Sequence, residues 1–119
     1  MLKLNAVMLG SAQPKKLADF YQKILTTKPA WSEGSWTGFE VGGLTLFIGS
    51  HSQVKGKSKQ PARVIINFET KEVEAEFARI QKLGAKVIAT PYHPMEDENM
   101  LIATFEDSDG NYFQLVSPM

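Results

Sequence analysis

The chain contains no cysteine, which removes disulfides, thiolate nucleophiles and thiolate metal sites from consideration. It also lacks any excess of charge. Lys plus Arg and Asp plus Glu each total 13, so the formal net charge is zero. There is neither a basic stripe for nucleic acid nor an acidic tail for a basic partner, and no nucleic-acid partner is expected. No run approaches the roughly 18 apolar residues of a membrane span, and the first residues show no signal-peptide pattern. The expected location is therefore cytoplasmic, with no membrane partner. Gly42-Gly43 lacks the spacing and the following helix of a phosphate loop, and no Gly-x-Ser-x-Gly elbow is present. Histidine occurs only at His51 and His93, whose spacing matches no sequential metal motif.

What is present is ordinary for a globular protein: 119 residues, 43% apolar and 22% charged, enough for one core. A first strand is expected over Lys3–Leu9. Pro14 suits a first helical turn, and Leu17, Phe20, Tyr21 and Ile24 recur at helical spacing, predicting a helix from Pro14 to about Leu25. Strands follow at Ala30–Ser32, Trp36–Val41 and Leu44–Ser50, the last two joined by a Gly42-Gly43 hairpin signal. The polar, basic stretch His51–Gln60 reads as an exposed connection. The pattern then restarts. Arg63–Phe68 reads as a strand, Thr70 as a helix cap, and Val73, Phe77 and Ile80 as a helical stripe that stops near Gly84. Lys86–Ala89, Met100–Phe105 and Tyr112–Val116 complete it, with Asp107-Ser108-Asp109-Gly110-Asn111 as a turn between the last two. The order strand, helix, three strands occurs twice, an internal repeat of about 55 residues.

Two βαβββ modules, the Phe-Tyr pair in ADFYQKIL and the closing DSDGNYFQL resemble the vicinal oxygen chelate superfamily, the group of glyoxalase I, the bleomycin-resistance proteins and the extradiol dioxygenases. The closing segment is similar to that family's Asp-Pro-Asp-Gly-Asn followed by a glutamate, with Ser108 in place of the proline and Gln114 in place of the glutamate. The resemblance implies an α+β fold: tandem βαβββ modules forming a half-open, cup-shaped mixed β-sheet with helices on its outer face. It implies a single such domain over residues 1–119, with module one at about 1–50, a linker near 51–61 and module two at about 62–119. It also implies a homodimer.

Metal-dependent members carry ligands on the first and last strands of each module. The resemblance puts Ala6, Phe47 (or Thr45 in a shifted register), Ile65 and Gln114 at those positions. Three apolar side chains and one neutral amide cannot hold a divalent cation, so no metal and no cofactor are expected. Gln114 then serves as a polar hook, because an amide needs only hydrogen-bond partners where a buried glutamate would need a cation. Met8, Trp31, Trp36, Phe47, Asn67, Tyr92, Tyr112 and Gln114 are the candidate cup-lining residues. An aromatic surface with a few amides suits a planar small molecule; alternatively these side chains fill the cup themselves. The expected function is metal-free binding of a small-molecule ligand, after the bleomycin-resistance branch. The alternative is a metal-dependent lyase, isomerase or dioxygenase, which needs either a different ligand register or a replacement site of His51 and His93 with Gln114, Glu96 or Asp97. Glu40 and Glu69 are the strand carboxylates available for acid–base work, and Glu40 or Tyr92 could act as a base without a metal.

Overall fold

The computed structural model describes residues 1–118. They divide into two compact units, residues 1–57 and 58–118. The first comprises β1 (Ala6–Gly10), α1 (Pro14–Leu25), β2 (Trp31–Glu33), β3 (Trp36–Val41) and β4 (Leu44–Gly49). Its sheet runs β1-β4-β3-β2, with β1 parallel to β4 and the other pairs antiparallel. The second opens with a 3₁₀ turn, Pro61–Arg63. It continues through β5 (Ile66–Glu69), α2 (Val73–Lys82), β6 (Lys86–Tyr92), β7 (Ile102–Glu106) and β8 (Tyr112–Val116). Its sheet runs β5-β8-β7-β6 with only β5 and β8 parallel, so the topology of the first unit is repeated. The fold is α+β, a tandem of βαβββ modules.

Each helix follows from its sequence. Pro14 occupies the first turn of α1, and Ser11 Oγ accepts the Gln13 N–H at 2.9 Å just ahead of it. Leu17, Ala18, Tyr21 and Ile24 form the buried stripe of α1, which packs on β4. The sheet supplies Phe39, Leu46 and Ile48 to the same core. In the second unit Val73, Phe77 and Ile80 of α2 are buried against β6, β7 and β8. Because strand side chains alternate, a helix on one face leaves the other face of each sheet without a helical cover.

The helices end differently. After α2, Gly84 takes a left-handed φ of 95°, which costs glycine nothing. After α1 the left-handed residue is Thr26, at φ 52° and ψ 38°. A β-branched residue pays a steric cost there, partly offset by the Thr26 Oγ1 bond to the Leu25 carbonyl at 2.7 Å. Thr26→Gly is expected to stabilise the protein by about 1 kcal/mol, raising the melting temperature by a few degrees. An unchanged melting point would mean that the hydroxyl bond compensates fully.

Several boundaries differ from those read in the sequence. The first strand begins at Ala6 rather than Lys3. β5 begins at Ile66 rather than Arg63, because Pro61 starts a 3₁₀ turn that uses Arg63 as its last residue. β6 runs on to Tyr92 through Pro91, where its register with β7 shifts between Ala89 and Tyr92, an irregularity that an edge strand tolerates. Thr70 is not the cap of α2. The helix starts at Val73, and Thr70 Oγ1 accepts the Glu72 N–H at 3.0 Å one turn earlier. No helix among the described residues is long and apolar enough to cross a membrane.

Candidate functional site

The face opposite α1 can be built row by row from the strand register. One row joins Met8 to Phe47, Phe47 to Gly38 and Gly38 to Trp31. Gly38 has no side chain, so the Trp31 ring reaches over it to meet Phe47 edge-on at 5.9 Å. A β-carbon at Gly38 would stand 3.2 Å from the Phe47 ring. Met8 is 64% exposed and Trp31 45%, an apolar pair left in solvent at either end of the row. The neighbouring row holds Ala6, Thr45 and Glu40, with Thr45 Oγ1 donating to Glu40 Oε1 at 3.2 Å. Glu40 thus projects away from buried Phe39, as strand alternation dictates, and is exposed. Trp36 behaves differently from Trp31. Its indole lies directly on the Gly49 backbone, where any β-carbon would overlap it, so this ring fills part of the open face itself.

The face opposite α2 is more polar. Asn67 pairs with Gln114, and Gln114 with Thr104. Gln114 Nε2 donates to Thr104 Oγ1 at 3.0 Å, and Thr104 is only 5% exposed. The Gln114 side chain is therefore oriented by its neighbour on β7. Asn67 is exposed, its amide donating to the Ile65 carbonyl at 3.3 Å. Tyr112 is half-buried opposite Glu106, and Tyr92 is 44% exposed opposite Ile102. Glu69 ends β5 in register with Val116 and is exposed.

The histidines fall in separate units. His51 Nδ1 accepts the Gln53 N–H at 3.1 Å, and His93 Nδ1 donates to the Met100 carbonyl at 2.8 Å, where it closes the base of the acidic loop. Glu96, Asp97 and Glu98 in that loop are exposed. Among the described residues no group of three or more His, Asp or Glu is gathered in the way a metal ion needs. Sequence reasoning missed Thr104, which carries the orientation of Gln114, and Gly38, which makes room for the Trp31–Phe47 contact. A glycine inside a strand flanked by Thr37 and Phe39 was the available signal for the latter.

The sequence profile of the Glyoxalase-like domain family matches residues 6–116. The chain belongs to this family. Solved structures agree in fold along its whole length. A glyoxalase-related enzyme from Fulvimarina pelagi superposes with a TM-score of 0.81 at 15% identity, covering 99% of this chain and 89% of that one. A glyoxalase/bleomycin resistance protein/dioxygenase family enzyme from Burkholderia phytofirmans PsJN gives 0.78 at 19% identity, covering 99% and 100%. The fosfomycin resistance protein FosX from Listeria monocytogenes gives 0.69 at 18% identity, covering 100% and 93%. None of the curated proteins matches this chain in sequence.

The register shows how the positions that the family resemblance singles out are paired. Ala6 pairs with Thr45, the shifted alternative, and Phe47 pairs with Met8. Ile65 lies just before β5, and Gln114 pairs with Asn67. Among Ala6, Thr45, Met8, Phe47, Ile65, Asn67 and Gln114 the donors are one hydroxyl, one thioether and two neutral amides, without an imidazole or carboxylate. That set does not fit a divalent cation, which would need anionic oxygen or imidazole nitrogen at these positions.

Proposed function

We propose that this glyoxalase-like domain binds a small planar or apolar molecule on the open faces of its sheets without a resident divalent metal. The observation that carries the reading is the row Met8, Phe47, Gly38, Trp31. It is an apolar surface with an exposed thioether and an exposed indole on the face opposite α1. Thioether and indole surfaces favour flat, polarisable ligands through stacking and sulfur–aromatic contact. The amides of Asn67 and Gln114 supply direction through hydrogen bonds. A cytoplasmic homodimer belongs to the same proposal, and sedimentation of the purified protein tests its assembly state.

A second reading, a metal-dependent lyase, isomerase or dioxygenase, draws support from the enzymes among the structural neighbours. It requires donors from outside the four register positions. One experiment separates the two. Chelator-treated protein is melted with and without Mn, Fe(II), Ni and Zn, and then with a panel of planar aromatic compounds. The expected result is no shift with any ion and a shift with at least one aromatic. A ligand at 100 times its dissociation constant adds about 2.7 kcal/mol, or several degrees for a chain of this size. A strong, stoichiometric shift with one metal would overturn the metal-free reading.

A further inference from the structure

The charge of the neutral chain is not evenly spread. No Asp or Glu occurs between Glu40 and Glu69, while Lys55, Lys57, Lys59 and Arg63 all fall in that interval. The last of these cations is held in a defined position. Arg63 ends the 3₁₀ turn begun by Pro61, and its N–H bonds to the Gln60 carbonyl at 3.0 Å. Its guanidinium forks onto Gln60 Oε1, with Nε at 3.0 Å and Nη2 at 2.7 Å. The acceptor is a neutral amide, so the fork holds the guanidinium without neutralising it, and no carboxylate among the described residues pairs with it. Arg79, the other arginine, is by contrast paired with the Glu76 carboxylate at 2.7 Å. Two of the five guanidinium N–H groups of Arg63 are used by Gln60, and the Nη1 side of the fork is left for another acceptor.

Gln60, Pro61, Ala62 and Arg63 form one wall of an open depression of about 400 Å³, and Tyr112 forms another. The Ser58 N–H bonds to the Asp109 carbonyl at 2.9 Å, tying the approach to this wall to the turn that immediately precedes Tyr112. The acids of that turn, Asp107 and Asp109, are buried, and Asp107 accepts hydrogen bonds from the turn itself. The depression thus joins a prepared cation to an aromatic ring on the open face, two positions along β8 from Gln114.

We infer that this depression receives an oxyanion group, carboxylate or phosphoryl, of the ligand, with Arg63 as its anchor and Gln60 as a positioning residue. The inference rests on the small-molecule reading above and narrows it to planar molecules bearing an acidic group. Paired oxygens of a carboxylate or phosphoryl group match the remaining Nη1–Nη2 edge of the guanidinium in a way they do not match a lysine ammonium.

The test follows the Arg63 Nε–Hε resonance and the Tyr112 and Gln114 amides by NMR at one fixed ionic strength. The protein is titrated with benzoate, phenyl phosphate, inorganic phosphate and the neutral isostere benzamide. Benzoate or phenyl phosphate should move all three resonances saturably and bind about tenfold or more tightly than benzamide, an advantage that Arg63→Gln should abolish. Arg63→Lys should fall between, because it keeps the charge and loses the fork. Arg63 is exposed, so neither variant threatens the fold. Benzamide binding as well as benzoate would overturn the anchor and leave the small-molecule reading standing. Inorganic phosphate matching phenyl phosphate without moving Tyr112 would reduce the site to an adventitious ion only. Silence of Tyr112 and Gln114 toward every compound would overturn both readings.

Discussion

Phe105→Ala is expected to cost about 3–5 kcal/mol, a large part of the 5–15 kcal/mol that typically holds a domain of this size together. Phe105 is fully buried in the middle of an aromatic stack. Its ring lies 5.1 Å from Phe77 of α2 at an interplanar angle of 29°, and 5.5 Å from Phe113 of β8 at 20°. Truncation removes the burial of the ring and two stacking contacts, and leaves a cavity whose other walls are rigid strand and helix. Phe105→Leu keeps most of the apolar volume and should cost well under half as much. Urea unfolding reads both variants as a fall in midpoint at unchanged slope. An alanine cost under about 1.5 kcal/mol would show that α2 collapses into the gap, against the close packing drawn here. The effect reaches the open face as well, because Thr104, which orients Gln114, is the next residue on β7.

The elements of that core were legible because their signals are local and strong. The β3 range Trp36–Val41, the β8 range Tyr112–Val116 and the α1 range Pro14–Leu25 are the ranges that alternation, helical spacing and Pro14 predict. Legibility failed where a proline had two possible meanings. Pro61 opened a turn that displaced the start of β5, and Pro91 sat inside β6 with only a shift of its register against β7, as an edge strand allows. Which strand lies at an edge is a property of the sheet, and no local window of sequence contains it. The candidate site divides in the same way. The apolar character of Met8 and Phe47 was visible, but their pairing depends on a parallel register between strands at opposite ends of the module. The fixed guanidinium of Arg63 could not be read at all, since it depends on a turn whose last residue the sequence placed at the start of a strand.

The second large effect is expected at the turn that gave the family resemblance. Asp107→Ala should cost about 3 kcal/mol, and Asp107→Asn roughly half of that. Asp107 is 5% exposed, and its Oδ1 accepts the Asp109 N–H at 2.9 Å, the Asn111 N–H at 3.0 Å and the Asn111 side-chain amide at 3.3 Å. Oδ2 accepts the same amide at 3.0 Å. Alanine leaves these donors without their acceptor in a place water reaches poorly, and an unmade buried bond costs more than a made one contributes. Asparagine can keep an oxygen at the Oδ1 position but turns an N–H₂ toward the Asn111 amide, so donor faces donor on that side alone. The backbone bonds Asp107 N to Asn111 O at 2.8 Å and Gly110 N to Asp107 O at 3.1 Å complete the turn. Together they fix Glu106 opposite Tyr112 and hence Thr104 opposite Gln114. Since a slip of one residue would turn Gln114 into the core and Phe113 onto the open face, the carboxylate acts as a register pin for the open face. Amide hydrogen exchange should therefore rise at Phe113 and Leu115 in Asp107→Ala even where the protein remains folded, and rise less in Asp107→Asn. Equal protection in both variants and the wild type would assign the register to the aromatic core alone and leave the Asp-x-Asp-Gly-Asn segment as a simple reversal of the chain.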